Sequence, residues 1–434
     1  MNYSIMTKTI VIMLIMASSL LPLNAAQNPQ IDGMSAEEAV GYALEHNKNL
    51  LADRKLLDEA AGRLKQAGLR PNPMLELMGG SSVNDRSMNE LSAGVSLPLE
   101  LGGRRSSRIQ VAEKEFARMK LEISDRERRL AAEIRMKYAE AIEATRTLEL
   151  IKQLGDLNFQ DLTLLKARVD EGVSPAVDLN MLRVEIGKLE TQKINVESRR
   201  SLTIDELKNL LGFPQDEKLT LKDDLNPLQT ATNRDELLQQ ALSNRQDLQA
   251  ARAAESVSQS MIEEAGTEGK LDMSLFTEIG RQSWRFDQLG SNIETGAPER
   301  IMMRNYVLKG GVTIMLPTRN RNQGNIQAAV AMGDQARLRR EFLETMIRRE
   351  VSAALTKYET AGRIIKTYDE GLLAASRDTL RVMRASYELG HTRISEVLDA
   401  QRRLLELQMT YIEAVRDLYT AASELKTATG AIQH

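Results

Sequence analysis

Behind Gly390 the apolar residues Val397, Leu404, Tyr411, Leu418 and Leu425 recur every seven positions. A second row, Leu398, Leu405, Ile412 and Tyr419, runs beside them. A sustained seven-residue repeat describes a helix packed along its length against other helices in a left-handed supercoil. The passage occurs once earlier: Gly172 matches Gly390, Asp178 matches Glu396, Leu207 and Lys208 match Leu425 and Lys426, and Gly212 matches Gly430, all at an offset of 218. The chain therefore carries two copies of a long helical hairpin.

The elements in front of each hairpin repeat as well. Ser35 to Ala67 reads as a helix, with Ser35 as N-cap and Glu37 and Glu38 in its first turn. Gly68, Pro71 and Pro73 stop it. Next, Leu91, Ala93, Val95, Leu97 and Leu99 alternate with small or polar residues, a strand pattern that a shorter run at Leu75 and Leu77 precedes. Gly79 to Glu90 joins the two. Gly103 to Glu171 predicts one helix, about 100 Å long at ~1.5 Å per residue. Gly172 to Pro175 turns the chain into a second helix that ends at Gly212. The plan returns with a helix from Asn233 to Ala265, offset by 198 from the first, and a strand starting at Leu271. Trp284 to Asn305 reads as a loop, Tyr306 to Leu316 as a strand, and the last helices run from about Asn325 to Leu389 and about Ser395 to Thr429. Arg321, Ile326 and Gln327 repeat Arg104, Ile109 and Gln110 at an offset of 217.

The expected organisation is a leader over 1–26, a first repeat over 27–212, a connector over 213–232, a second repeat over 233–430 and a tail over 431–434. In the leader, Lys8 precedes the apolar run Ile10 to Leu21, and Ala25 and Ala26 offer a small-residue cleavage site. The run is shorter than the ~20 residues of a spanning helix, so cleavage and export are the expectation. Each half supplies helix, two strands, long helix, turn and long helix. Four strands of about ten residues suit a tilted crossing of a bilayer. Four are too few to close a barrel alone, and open edges are not tolerated in lipid. Several identical chains contributing four strands each would close one, with the helices as a tube below it.

Composition removes several alternatives. A net charge of −3 with 27% charged residues does not suggest a nucleic-acid partner. Without cysteine there is no disulfide or thiolate metal site. His46, His391 and His434 have no ligand partners at helical or loop spacing, and the 20 methionines are scattered, so no resident metal or other cofactor is expected. No catalytic constellation is present; the acids fall on charged helix faces. Gly102 to Arg105 suggests phosphate binding, but no lysine–serine pair of a phosphate loop follows.

The duplicated hairpin and the segment YELG…EVLDAQ, Tyr387 to Gln401, resemble the TolC-type outer membrane factors over nearly all of the chain, from Ser35 to about Gly430. Two stretches, SLPLELGGRRSSRI (Ser96 to Ile109) and MLPTRNRNQGNIQAA (Met315 to Ala329), look like the CzcC group within that superfamily. The resemblance implies a mainly α fold with a transmembrane β-barrel part. It implies a homotrimer in which four strands per chain make a twelve-stranded barrel above a periplasmic α-barrel of duplicated long hairpins. It implies an outer membrane channel, not an enzyme, set in outer membrane lipid. It further implies a periplasmic adaptor and an inner membrane RND-type transporter as partners, and the CzcC-like stretches point to heavy-metal cations such as cobalt, zinc, cadmium or copper. In such ducts a tyrosine before the second glycine turn, an arginine after it and two acids three apart close the periplasmic end. The matching residues are Tyr387, Arg393, Glu396 and Asp399, with Arg393 one position later than in the family. Rings of three carboxylates at a narrow pore attract cations; the same acids also complement the dipole of a helix first turn. The hairpin tips, with Arg168, Gly172, Val173, Leu389 and Gly390, are the expected adaptor contacts, and plain helix–helix turns would use glycine in the same way. The rival readings are the same duct for drugs or secreted polypeptides, and an exported soluble coiled-coil scaffold, which leaves the strand pairs unexplained.

Overall fold

A computed structural model describes residues 33–83, 87–225 and 232–430. The expected leader and tail lie outside the described residues. The order of elements is α1 (Ala36–His46), α2 (Lys48–Ala67), β1 (Met74–Ser81), β2 (Met88–Leu99), α3 (Arg104–Asp170) and α4 (Ala176–Leu211). It continues with α5 (Arg234–Asn244), α6 (Gln246–Glu268), β3 (Asp272–Ser291), β4 (Pro298–Met315), α7 (Gln323–Thr367), a π turn (Tyr368–Leu372), α8 (Leu373–Glu388) and α9 (Ile394–Ala428). Among the described residues no helix is long and apolar enough to cross a membrane.

The single helix expected over Ser35 to Ala67 is two. A capping box starts α1: the Ser35 N–H donates to Glu38 Oε2 at 2.7 Å and the Glu38 N–H to Ser35 Oγ at 3.4 Å. Asn47 then leaves the helical region at φ −64°, ψ 112°. Its side-chain oxygen caps α2 through the Leu50 N–H at 2.8 Å, and its amide donates to the Leu210 carbonyl at 2.7 Å. So α2 starts where α4 ends, and the two short helices stack end to end beside α3. Gly212, at φ +70°, makes the passage possible, since a Cβ there would lie 2.5 Å from the His46 carbonyl oxygen. In the second repeat α9 meets α6 in the same way. Gly430 has φ +76°, and Arg245 at the head of α6 pairs with Asp247 and Glu350, each at 2.6 Å.

The four strands form one antiparallel sheet in the order β1-β2-β3-β4. Val95 stands opposite Leu75 and Thr277, and Thr277 opposite Gly310. One face therefore collects Leu75, Leu77, Leu91, Val95, Leu97, Leu275, Ile279, Leu308, Val312 and Ile314, all exposed. The other carries Ser92, Ser96, Ser274 and Thr313, the Lys309–Glu278 pair at 3.6 Å and a Gln282 to Glu90 bond at 3.0 Å. An apolar face turned outward beside a polar face turned inward is the pattern of a barrel wall in lipid. From Leu91 to Leu99, β2 covers about 27 Å at ~3.4 Å per residue, or roughly 20 Å of height at a tilt of ~40° against an apolar band of ~25 Å.

The loop expected over Trp284 to Asn305 is corrected. β3 and β4 stay paired up to Ser291 and Pro298, with a bulge between Arg285 and Leu289. Beyond Arg281 this hairpin mixes apolar residues, such as Trp284, Leu289, Ile301 and Met302, with charged ones and keeps no strict alternation, so backbone pairing holds it. The last helix pair differs as well. The helix expected to run to Leu389 is broken at the π turn, where Gly371 takes φ +117°.

Arginines join sheet to helices. Arg104 donates to the carbonyls of Glu268 at 3.1 Å and Lys270 at 2.9 Å and pairs with Asp272 at 2.9 Å. Arg105 donates twice to the Gly68 carbonyl, at 2.9 and 2.7 Å, and Arg108 to those of Ala67 and Leu69, both at 3.1 Å. The run that resembled a phosphate loop thus satisfies the open carbonyls at the ends of α2 and α6.

Candidate functional site

The far end of the helices, away from the sheet, holds both hairpin turns. Gly172 and Gly390 take φ +77° and +76°. The Val173 N–H donates to the Arg168 carbonyl at 2.8 Å, and the His391 N–H to the Ser386 carbonyl at 2.9 Å. These bonds close the two helix ends. A Cβ at either glycine would meet nothing within 4 Å. The demand there is torsional, about 1–2 kcal/mol for any other residue. Val173 and Leu389 stand out from the turns, 64% and 73% exposed.

Just inside the turns the two hairpins pack on each other. Leu165, Leu179 and Leu182 from the first bury against Ile394, Val397 and Leu398 from the second, with Leu380, Met383 and Tyr387 at the margin. Polar contacts cross the same interface. Arg384 pairs with Asp161 at 3.2 Å, and the buried Gln401 amide donates to Asn158 at 2.6 Å. Arg402 bridges Glu185 at 3.3 Å and Asp399 at 3.0 Å.

Tyr387 sits in this seam. The Arg168 guanidinium lies 5.4 Å from the centre of its ring, within cation–π range. Its hydroxyl is enclosed in the seam, close to Ser174. Burial raises the phenol above its usual value, and the Ser174 contact and the charge of Arg168 act the other way. Arg168, expected at the adaptor-facing tip, is half-buried between the hairpins. Glu396 and Asp399 lie one helical turn apart on the exposed side of α9, opposite the buried Val397 and Leu398. Arg393 forms the N-cap of α9 at φ −88°, ψ 154° and is exposed. Within the described part of this one chain, neither Arg393 nor Glu396 makes an ion pair. The structure thus joins Tyr387 to Arg168 and Asp399 to Arg402, and leaves Arg393 and Glu396 facing outward.

Asp161, Arg384, Asn158, Gln401, Glu185 and Arg402 were not singled out from the sequence. Gln401 did carry a signal: it stands three after Leu398 and four before Leu405, a seam position where a polar residue needs a partner. Among the described residues no cluster of three or more potential ligands is placed to hold a metal ion.

Known proteins share this plan. The chain is 25% identical to the cobalt-zinc-cadmium resistance protein CzcC of Cupriavidus metallidurans, over 92% of this chain and 90% of that protein. It is 23% identical to the outer membrane protein TolC of Vibrio cholerae, over 91% and 90%. The crystal structure of VceC, an outer membrane protein of Vibrio cholerae, superposes with a TM-score of 0.72 at 18% identity, over 91% of this chain and 96% of that one. The family model described as outer membrane efflux protein matches residues 39–213 and again 237–431. With the outward apolar sheet face, the long paired helices and this match over most of its length, the chain belongs to the outer membrane efflux protein family.

Proposed function

We propose that three copies of the chain form the exit duct of a tripartite efflux system for heavy-metal cations. The observation that carries the metal reading is the similarity to the cobalt-zinc-cadmium resistance protein along nearly the full length of both chains. The exposed acids Glu396 and Asp399 agree with it, since three copies of each would place a carboxylate ring where the duct narrows. The sheets would stand in the outer membrane and the helices in the periplasm. The exposed turn residues Gly172, Val173, Leu389 and Gly390, backed by Arg168, would meet a periplasmic adaptor. An inner membrane transporter of the RND type would supply the energy. Opening requires the α8–α9 hairpin to part from α3 and α4, which breaks the Arg384–Asp161 and Arg402–Glu185 pairs.

The similarity to TolC supports a second cargo, drugs or polypeptides. Growth of a deletion strain separates the two. The metal reading expects lost tolerance to cobalt, zinc, cadmium or copper salts, restored by the gene, with unchanged tolerance to dyes and detergents. The reverse pattern would move the cargo to organic compounds.

A further inference from the structure

We infer that Arg281, Arg285 and Arg304 form a phosphate-binding patch on the outward face of the sheet, and that it holds the phosphorylated headgroup of an outer-leaflet lipid. The inference rests on the reading of the sheet as a wall in the outer membrane. Alternation along the strands puts all three residues on the apolar face. Arg281 stands between Leu91 and Tyr306 in one row of the register, the next row after Ile279 and Leu308. One row further from the helices, Arg304 stands opposite Ser283, and one further still Arg285 stands opposite Met302. The three arginines thus make a triangle over two neighbouring strands.

The patch begins where the apolar band stops. Rows on one face are two residues apart, ~7 Å along a strand, or ~5 Å of height at a tilt of ~40°. Leu91 and Arg281 share a row roughly 20 Å above Leu99, so Arg304 and Arg285 come at roughly 26 and 31 Å. An apolar band of ~25 Å ends between them and Leu91, and Arg281 reaches upward from its edge along an apolar stem. The helices leave the sheet at its other end, so this edge is the one turned away from the periplasm.

Charge is sorted between the two faces. Glu76, Glu90, Asp272 and Glu278 all stand on the inward face with Lys309. Past the bulge, Asp287 pairs with Arg300 at 3.6 Å. Arg281, Arg285 and Arg304 are exposed, and among the described residues their guanidinium groups make no ion pair or hydrogen bond. Three unpaired guanidinium groups bordering lipid call for anions at that depth. Their planar forks match phosphate oxygens, and Ile279, Leu91 and Leu308 in the rows beside and below offer a seat for the acyl chains of the same molecule.

Thermal midpoints of the full-length protein in a neutral detergent test this. The probes are bisphosphorylated lipid A, the same lipid stripped of both phosphates, and inorganic phosphate. The first should raise the midpoint and the other two should not. A basic residue facing anionic lipid is worth about fivefold in affinity, so the triple variant Arg281→Gln, Arg285→Gln, Arg304→Gln should need about a hundredfold more lipid for the same rise. Arg304→Gln alone should need about fivefold more, and it covers the case in which the triple variant fails to fold. Lys309→Gln, on the inward face, should respond like the unaltered protein. Equal shifts from the two lipids, an equal shift from inorganic phosphate, arginine variants that titrate unchanged, or the same loss in Lys309→Gln would each overturn the patch and leave the duct intact. An unaltered chain that does not insert into vesicles of any of these lipids would remove both.

Discussion

Two buried carboxylates show how one residue type serves opposite ends. Burial alone would raise Asp247, but hydrogen bonds and charge from Arg245, the charge of Arg128 and the Leu248 N–H hold it below the usual carboxylate range. Glu143 is raised by its burial, which Arg199 and Arg416 offset only in part. Asp247 therefore adds stability that is present above the unfolded value of ~3.9 and is lost as pH falls through the lower folded value. The contribution of Glu143 has the opposite sign: it is present in acid and lost as pH rises through its raised folded value. Asp247→Asn should cost about 2 kcal/mol at neutral pH because it leaves buried Arg245 with Glu350 as its one remaining carboxylate partner, while Glu143→Gln should be close to neutral at pH 8. Thermal midpoints at pH 4 and 8 check this, and equal losses for both at pH 8 would refute it. At the tip, Glu396→Ala with Asp399→Ala should raise single-channel conductance and weaken block by multivalent cations; unchanged currents would take the acids out of the constriction. These two acids came from the family resemblance, through their place behind Gly390 in the segment Tyr387 to Gln401. The sequence hid the Arg384–Asp161 pair, whose members are 223 residues apart, since only the folded hairpins bring them together.

At the scale of elements, the two hairpins are not equivalent. α3 runs unbroken for 67 residues, whereas its counterpart is interrupted at Tyr368–Leu372. A single extra residue in a helix makes such a turn, and Gly371 at φ +117° absorbs it with no neighbour within 4 Å of its would-be Cβ. Gly371→Ala should therefore lower the thermal midpoint with helix content unchanged, as read by circular dichroism. An unaltered midpoint would mean the turn carries no torsional demand. Single glycines inside long apolar periods do not announce a break, which is why this turn and the Asn47 break were not legible. At Asn47 the apolar positions of α1 and α2 read as one helix, and only the arrival of the α4 terminus separates them. The strands were legible where an apolar side alternates with a small or polar one, from Leu91 to Leu99 and from Tyr306 to Leu316, and were missed over Trp284 to Asn305, where apolar and charged residues mix without alternation.

For the whole molecule, the sheet faces set what the membrane accepts. Leu308 lies on the apolar face and Val307 on the polar one. An arginine on the lipid face near the middle of a bilayer costs ~2–4 kcal/mol, so Leu308→Arg should sharply reduce folded protein in the outer membrane while Val307→Arg should not. Similar losses for both would contradict the assigned faces. The duplicated plan and the overall fold class were readable from periodicity and repeat spacing, because heptads and strand alternation are local. The end-to-end stacking of helices and the arginine caps were not, because they join distant ends of the chain. The central seam of the sheet is the extreme case: Gln282 bonds Glu90 across 192 residues. This separation sets a timetable. Closing so long a loop precedes any gain from pairing, so the hairpins, built from near neighbours, would order first. Until β3 and β4 have been delivered, β1 and β2 travel as a ribbon with two bare edges, the kind of surface that pairs with whatever strand it meets. A chain crossing the envelope from its first residue onward thus spends most of its transit unable to finish its own wall, and safe passage depends on keeping those edges occupied or apart until the last third arrives.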